Sequence, residues 1–170
     1  RIRYCVREQD FIARFGGDEF TIVLEKIQSA DTAAKVAAKI CHSLSQPFVF
    51  MQKKMFVTTS IGISIFPDNG SDVSSLIKHA DLAMFKAKEK RNYFFFYETG
   101  MEAEIADRLE MELELRQAIE RGELELYYQP KIDFRTGDLV GAEALGRWNH
   151  PTDGILGPNV FIPLAEESGL

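Results

Sequence analysis

Apolar and polar residues alternate or recur along this chain in three distinct ways, and each way predicts an element. Phe11 to Phe15 and Phe20 to Leu24 are β-prone runs flanking Gly16-Gly17-Asp18-Glu19, so a tight hairpin with a glycine connection is expected there. Ala33, Ala37, Ile40, Cys41 and Leu44 recur at three- and four-residue spacing, predicting a helix capped by Ser29 or Asp31 that runs to about Ser45. Phe48 to Gln52 and Met55 to Phe66 read as a second hairpin turning at Lys53-Lys54, and Pro67 to Gly70 as a loop. Ile77, Ala80, Ala83, Met84 and Ala87 form a second helical stripe, and Tyr93 to Glu98 a further strand. Leu109 to Leu115 alternates strictly, which alone says strand. Its Leu, Met and Glu are strong helix formers without β-branching, and Glu104–Arg108 and Glu112–Arg116 stand at the favourable spacing, so a helix ending at Gly122 is expected. Leu124 to Ile132 and Leu139 to Leu145 predict two strands around a turn at Arg135 to Asp138.

Composition adds bounds. The 170 residues suit one or two domains, and 45% apolar content is ample for a core. Residues 1 to 101 carry 14 basic and 11 acidic side chains (+3), residues 102 to 125 carry 3 and 9 (−6), and residues 126 to 170 carry 3 and 6 (−3). An acidic excess concentrated in the middle argues against a long nucleic acid as partner, while a short anionic nucleotide needs only local cations. Cys5 and Cys41 are too few for a disulfide framework, and no run approaches the ~20 apolar residues of a membrane span. With no secretory leader visible at Arg1, a cytoplasmic location is expected, any membrane or sensory region lying outside these residues.

The chemistry concentrates at two places. At Gly16 to Phe20, glycines let main-chain N–H groups approach a phosphate, and Asp18 and Glu19 supply the hard oxygen ligands that Mg²⁺ prefers beside substrate phosphates. An acidic surface turn is the plain alternative. The motif resembles the GGDEF domain of diguanylate cyclases letter for letter. Arg7-Glu8-Gln9-Asp10 is similar to the family's R-x-x-D, five residues before the glycine pair, which binds the product cyclic di-GMP as an inhibitor; an ordinary solvated Arg–Asp pair is its alternative. Ala80 to Lys88 with Arg91-Asn92 resembles the family's late helix, in which a lysine and an arginine hold the triphosphate. Lys88 and Arg91 take those places, although Arg91 stands one residue closer than usual. The resemblance also implies a metal-binding aspartate and guanine-reading residues upstream of Arg1.

Glu143-Ala144-Leu145-Gly146-Arg147 resembles the signature of EAL domains, the cyclic di-GMP phosphodiesterases, and Tyr128-Gln129-Pro130 and Phe161 to Glu166 resemble the same family's opening. The resemblance makes Glu143 a metal ligand and places Gln129, Leu145 and Arg147 against the dinucleotide. On strand position alone, Gln129 and Glu143 are expected toward strand ends, and pairing with Arg147 is the default for Glu143. His150 reads as a turn residue before Pro151, Trp148 as packing, and His42 and His79 as structural.

The fold expected is α+β: residues 1–99 as the last two-thirds of a GGDEF domain with a mainly antiparallel sheet flanked by helices, 100–122 as a linker helix, and 123–170 as roughly the opening quarter of an α/β (β/α)8 EAL barrel. The linker reads as a rigid spacer, or else as a relay. The resemblance implies a bacterial second-messenger protein using Mg²⁺ or Mn²⁺, taking GTP and cyclic di-GMP, and dimerising for synthesis. The 170 residues alone are expected not to turn over. A non-catalytic receptor for cyclic di-GMP is the rival reading.

Overall fold

The computed structural model describes residues 1–170 and has two compact units, Arg1–Ile105 and Ala106–Leu170. In chain order the elements are a short 3-10 helix Ile2–Tyr4, β1 Phe11–Gly16, β2 Glu19–Val23, α1 Ala30–Ser45, β3 Phe48–Phe50, β4 Lys53–Met55, β5 Ile61–Ile63, α2 Val73–Lys90, β6 Phe94–Phe96, α3 Met101–Arg121, β7 Leu124–Ile132, β8 Leu139–His150, β9 Gly154–Leu156 and α4 Pro158–Ser168. The mixture of helix and strand is as expected, and the sheets are small and open.

In the first unit, β1 and β2 pair antiparallel, as do β3 and β4, whereas β5 and β6 pair parallel. The alanine stripes explain the helices. Ala33, Ala37, Ile40 and Cys41 are the buried face of α1, and Ala83 and Ala87 are fully buried on α2. Small side chains on α2 let β5 come close: a Cβ built on Gly62 would lie 1.8 Å from the Ala80 carbonyl oxygen. α2 starts at a capping box, in which the Asp72 side chain accepts the Ser75 N–H at 2.9 Å and Ser75 Oγ accepts the Asp72 N–H at 3.4 Å. His79 stacks on Tyr97 with ring centroids 3.9 Å apart, and its Nδ1 lies 2.5 Å from the Asn69 carbonyl. A carbonyl only accepts, so that nitrogen carries the proton, and the histidine has the structural role expected of it.

The second hairpin corrects the sequence reading. Its turn is Met51-Gln52, both in the left-handed region (φ 46° and 64°), and Lys53-Lys54 begin β4. Neither Met nor Gln favours positive φ, so nothing local announced this turn. The strand expected from Met55 to Phe66 is also broken: β4 ends at Met55, and pairing resumes only at Ile61 with a different partner.

The helix expected over 100–122 covers Met101–Arg121 and closes with the Glu123 N–H on the Ala118 carbonyl (2.9 Å) and the Gly122 N–H on the Ile119 carbonyl (3.3 Å), with Gly122 at φ 70°. That is a Schellman cap, and glycine fits its left-handed position. Only one of the alternating apolar sets turns inward. Leu115 and Ala118 are buried and Met111 packs beside them, while Leu109 and Leu113 stay exposed. Glu112–Arg116 pair at 3.0 Å as expected; Glu104 reaches Lys86 at 2.7 Å, and Arg108 reaches Glu167. The division between the units falls inside α3, after Ile105, and Leu115 and Ala118 farther along the helix belong to the second unit's core.

In the second unit, β7, β8 and β9 form one antiparallel sheet in that order, with β7 and β9 at its two edges. Its core joins Leu115 and Ala118 to Trp148, Phe161 and Leu164. Trp148 is fully buried, meets Phe161 edge-on at 6.2 Å, and donates its indole N–H to Glu123 at 3.3 Å. β8 runs on to His150, past the Leu145 end expected, because Trp148 and His150 keep the alternation going toward the core. His150 is 5% exposed and corrects its reading as a turn residue: its Nε2 faces Glu114 at 3.2 Å and its Nδ1 accepts the Asp153 N–H at 3.1 Å.

Candidate functional site

The first hairpin shows how the chain builds a tip for Asp18 and Glu19. Phe11↔Val23 through Arg14↔Phe20 pair in register, and the register then shifts by one so that Gly16 faces Glu19. Phe15 is the extra residue, a bulge that increases twist just before the turn. The turn is Gly17-Asp18, so the glycine pair is split: Gly16 closes β1, and Gly17 alone takes positive φ, at 49°. A Cβ on either glycine would meet nothing within 4 Å, so the tip is open to approach. Arg14 folds its guanidinium back onto the Gly17 carbonyl, with Nε at 2.9 Å and a second N–H alongside. That fork pins the turn, and sequence reasoning missed it. Asp18 and Glu19 are exposed with no hydrogen bond or ion pair inside the protein. Two adjacent carboxylates suit Mg²⁺, which takes its remaining ligands from phosphates and water, and no third His, Cys, Asp or Glu joins them.

Asp10 and Arg7 divide in role. Asp10 is 5% exposed; its Oδ2 accepts the Arg7 N–H at 2.8 Å and its Oδ1 the Glu25 N–H at 3.3 Å. The carboxylate therefore ties the R-x-x-D turn to the foot of the hairpin, a structural duty that its sequence position did not reveal. Arg7 keeps an exposed side chain without a partner.

At the end of α2, Lys88 is exposed in the last turn and Arg91 is the C-cap residue at φ 47°. Neither side chain is engaged within the protein. Lys90 instead lies over the Tyr93 and Phe95 rings at 5.2 and 5.3 Å. Beside Arg91, Asn92 Oδ1 is buried without a hydrogen-bond partner.

In the second unit the pleat sorts the EAL segment by parity. Gly146, Trp148 and His150 face the core, and a Cβ on Gly146 would stand 3.2 Å from the Phe161 ring. Glu143, Leu145 and Arg147 therefore share the other face. The register sets Gln129 directly opposite Glu143, Tyr127 opposite Leu145 and Glu125 opposite Arg147. Gln129 and Glu143 thus meet in mid-ladder, not toward strand ends, because β8 continues seven residues beyond Glu143. The expected Glu143–Arg147 pairing is replaced: Glu143 meets Lys131 at 3.4 Å, while Arg147 lies over the Tyr127 ring at 5.6 Å and donates to the Gly146 carbonyl at 2.7 Å. Lys131 and Tyr127 were legible in principle, since each stands two residues from Gln129 on its own strand.

These arrangements have counterparts. The family model for the diguanylate cyclase GGDEF domain matches residues 1–93, and that for the EAL domain matches residues 112–170. The chain belongs to the GGDEF family, in the tandem arrangement that carries an EAL domain after it. The bifunctional diguanylate cyclase/cyclic di-GMP phosphodiesterase MucR of Pseudomonas aeruginosa is 44% identical over 171 residues, covering 100% of this chain and 25% of the relative. The cyclic di-GMP phosphodiesterase PdeR of Escherichia coli is 38% identical over 167 residues, covering 98% and 25%. This chain thus spans about a quarter of the length of those relatives. Among solved structures, an EAL/GGDEF domain protein from M. capsulatus superposes with a TM-score of 0.54 at 41% identity, covering 57% of this chain and 63% of that one. The GGDEF domain of TpbB (YfiN) from Pseudomonas aeruginosa gives 0.60 at 30% identity, covering 62% of each.

Proposed function

We propose that this protein turns over cyclic di-GMP, its first unit taking part in synthesis from two GTP and its second in hydrolysis to the linear dinucleotide. The observation that carries the reading is the open hairpin tip, where an Arg14-pinned turn presents the unengaged carboxylates of Asp18 and Glu19. In synthesis each GTP 3′-oxygen forms a bond to the other's α-phosphorus, and the bond to pyrophosphate breaks. Two such domains, one nucleotide each, must face one another, so a homodimer is part of the proposal. Gly16 and Gly17 admit the phosphates, and Lys88 and Arg91 neutralise them. Asp18 and Glu19 would hold Mg²⁺ or Mn²⁺, which polarises the phosphoryl oxygens when bound. In the second unit, Gln129, Leu145 and Arg147 would contact the dinucleotide and Glu143 a metal ion, released from Lys131. Product retained at Arg7 and Asp10 would restrain synthesis. The domain limits 1–99, 100–122 and 123–170 and a cytoplasmic setting belong to this reading.

The test is the full-length protein with GTP and Mg²⁺, then with cyclic di-GMP, followed by chromatography of the nucleotides. Formation of cyclic di-GMP or of the linear dinucleotide is expected. Binding without turnover of either would establish a receptor, a second reading favoured by the short Lys88-to-Arg91 spacing at the end of α2.

A further inference from the structure

The turn from Arg7 to Asp10 is held on two sides. Inside, the buried Asp10 carboxylate accepts the N–H groups of Arg7 and Glu25, and the Asp10 N–H closes onto the Arg7 carbonyl at 3.2 Å. Outside, Arg3 places its guanidinium across two carbonyls of the same turn, Nη1 on Asp10 at 3.1 Å and Nη2 on Glu8 at 3.1 Å. Arg3 is itself anchored. It lies on the 3-10 helix, whose Tyr4 carbonyl accepts Lys39 Nζ of α1 at 3.0 Å, and the adjoining Cys5 is buried.

We infer that Arg3 is a positioning residue for the cyclic-dinucleotide site at Arg7, acting through the main chain of the turn and not by touching the ligand. The inference rests on the product-site reading of Arg7 and Asp10. A planar guanidinium satisfies two carbonyls two residues apart with fixed donors, whereas an ammonium is a single point with freely turning donors. Without the fork, the turn keeps only the Asp10 contacts and populates other conformations. Apparent affinity falls by the fraction of time the turn is competent, because the ligand then supplies the ordering itself.

The experiment uses the full-length protein carrying Glu143→Gln to block hydrolysis, titrated with cyclic di-GMP by calorimetry. The binding component that disappears in Arg7→Ala defines the product site. Arg3→Ala is expected to weaken that component by about tenfold, at one competent conformation in ten, and Arg3→Lys by less. The remaining binding component should stay at its original affinity in both, which general loss of structure would not permit. If Arg7→Ala removes no component, the product-site reading fails. If it removes one and Arg3→Ala leaves that component unchanged, the product site stands and the role of Arg3 is overturned. Should Arg3→Ala fail to fold, Arg3→Lys decides on the same terms, because wild-type affinity in it refutes the fork.

Discussion

Replacing Gly62 by alanine probes how closely β5 must approach α2, whose last turn carries Lys88. The added Cβ would stand 1.8 Å from the Ala80 carbonyl oxygen, 2.3 Å from the Met84 nitrogen and 2.9 Å from its Cα, where ordinary contact begins at 3.4 Å. All three neighbours are main chain, so no side chain can swing aside. α2 must retreat by well over ~1 Å, which separates Ala80, Ala83 and Ala87 from the strand they pack on. Overpacking a filled interior costs about 1–3 kcal/mol, and a purely main-chain clash belongs at the top of that range, near 3 kcal/mol. For a domain of this size the melting temperature should fall by roughly 10 °C or more. Denaturant unfolding followed by circular dichroism measures the loss, and hydrogen exchange locates it in β5 and α2. An unchanged midpoint with unchanged exchange in α2 would refute the close packing.

Other expectations are as direct. Asp18→Asn and Glu19→Gln should leave thermal stability within ~0.5 kcal/mol, as for unpaired surface positions, while lowering GTP turnover by the full-length protein at least ~100-fold; equal loss of stability would argue for a structural turn. Trp148→Ala should cost about 3–5 kcal/mol, read as loss of cooperative unfolding in the second unit, since it empties the core and removes the indole N–H that Glu123 accepts. Acidification should loosen the starts of α2 and α3. Hydrogen bonds from Ser75 hold the Asp72 carboxyl below its ordinary value, and Lys78 does the same for Glu102. Depressed values mean the stabilisation is complete above about pH 4 and lost as pH falls through the folded-state values. Lys78 and Lys86 are raised by their hydrogen bonds to Glu102 and Glu104, so their contribution is complete below about pH 10 and lost above it. Amide exchange at the starts of α2 and α3 should accelerate at both extremes. The Cys41 thiol, pushed up by burial, should resist iodoacetamide at pH 8 until the chain unfolds.

What could be read ahead of the structure was whatever repeats at short range. The alanine stripes of α1 and α2, the first hairpin, and the helix over the alternating Leu-Glu segment all follow from spacing and side-chain type. The Met51-Gln52 turn did not, because its residues are tolerated there and not selected for it. The parallel β5–β6 pair joins segments separated by α2, and no local pattern encodes such a partnership. The second unit's site was half legible. Gln129 and Glu143 carry the motifs, but the length of β8 depends on Trp148 and His150 burying against α3 and α4. Arginine contacts were the least visible. Arg14 on Gly17 and Arg3 on Glu8 and Asp10 both bond to main-chain carbonyls, whose positions exist only once the turn has formed.

β7 has a practical side. As one of the sheet's two edge strands it turns the amides and carbonyls of alternate residues away from β8 toward no neighbouring strand, a row interrupted where Pro130 contributes no N–H. Such a row is a template for another chain's backbone. Preparations of these residues by themselves should therefore be kept dilute, and a solubilising substitution belongs on that border and away from Gln129.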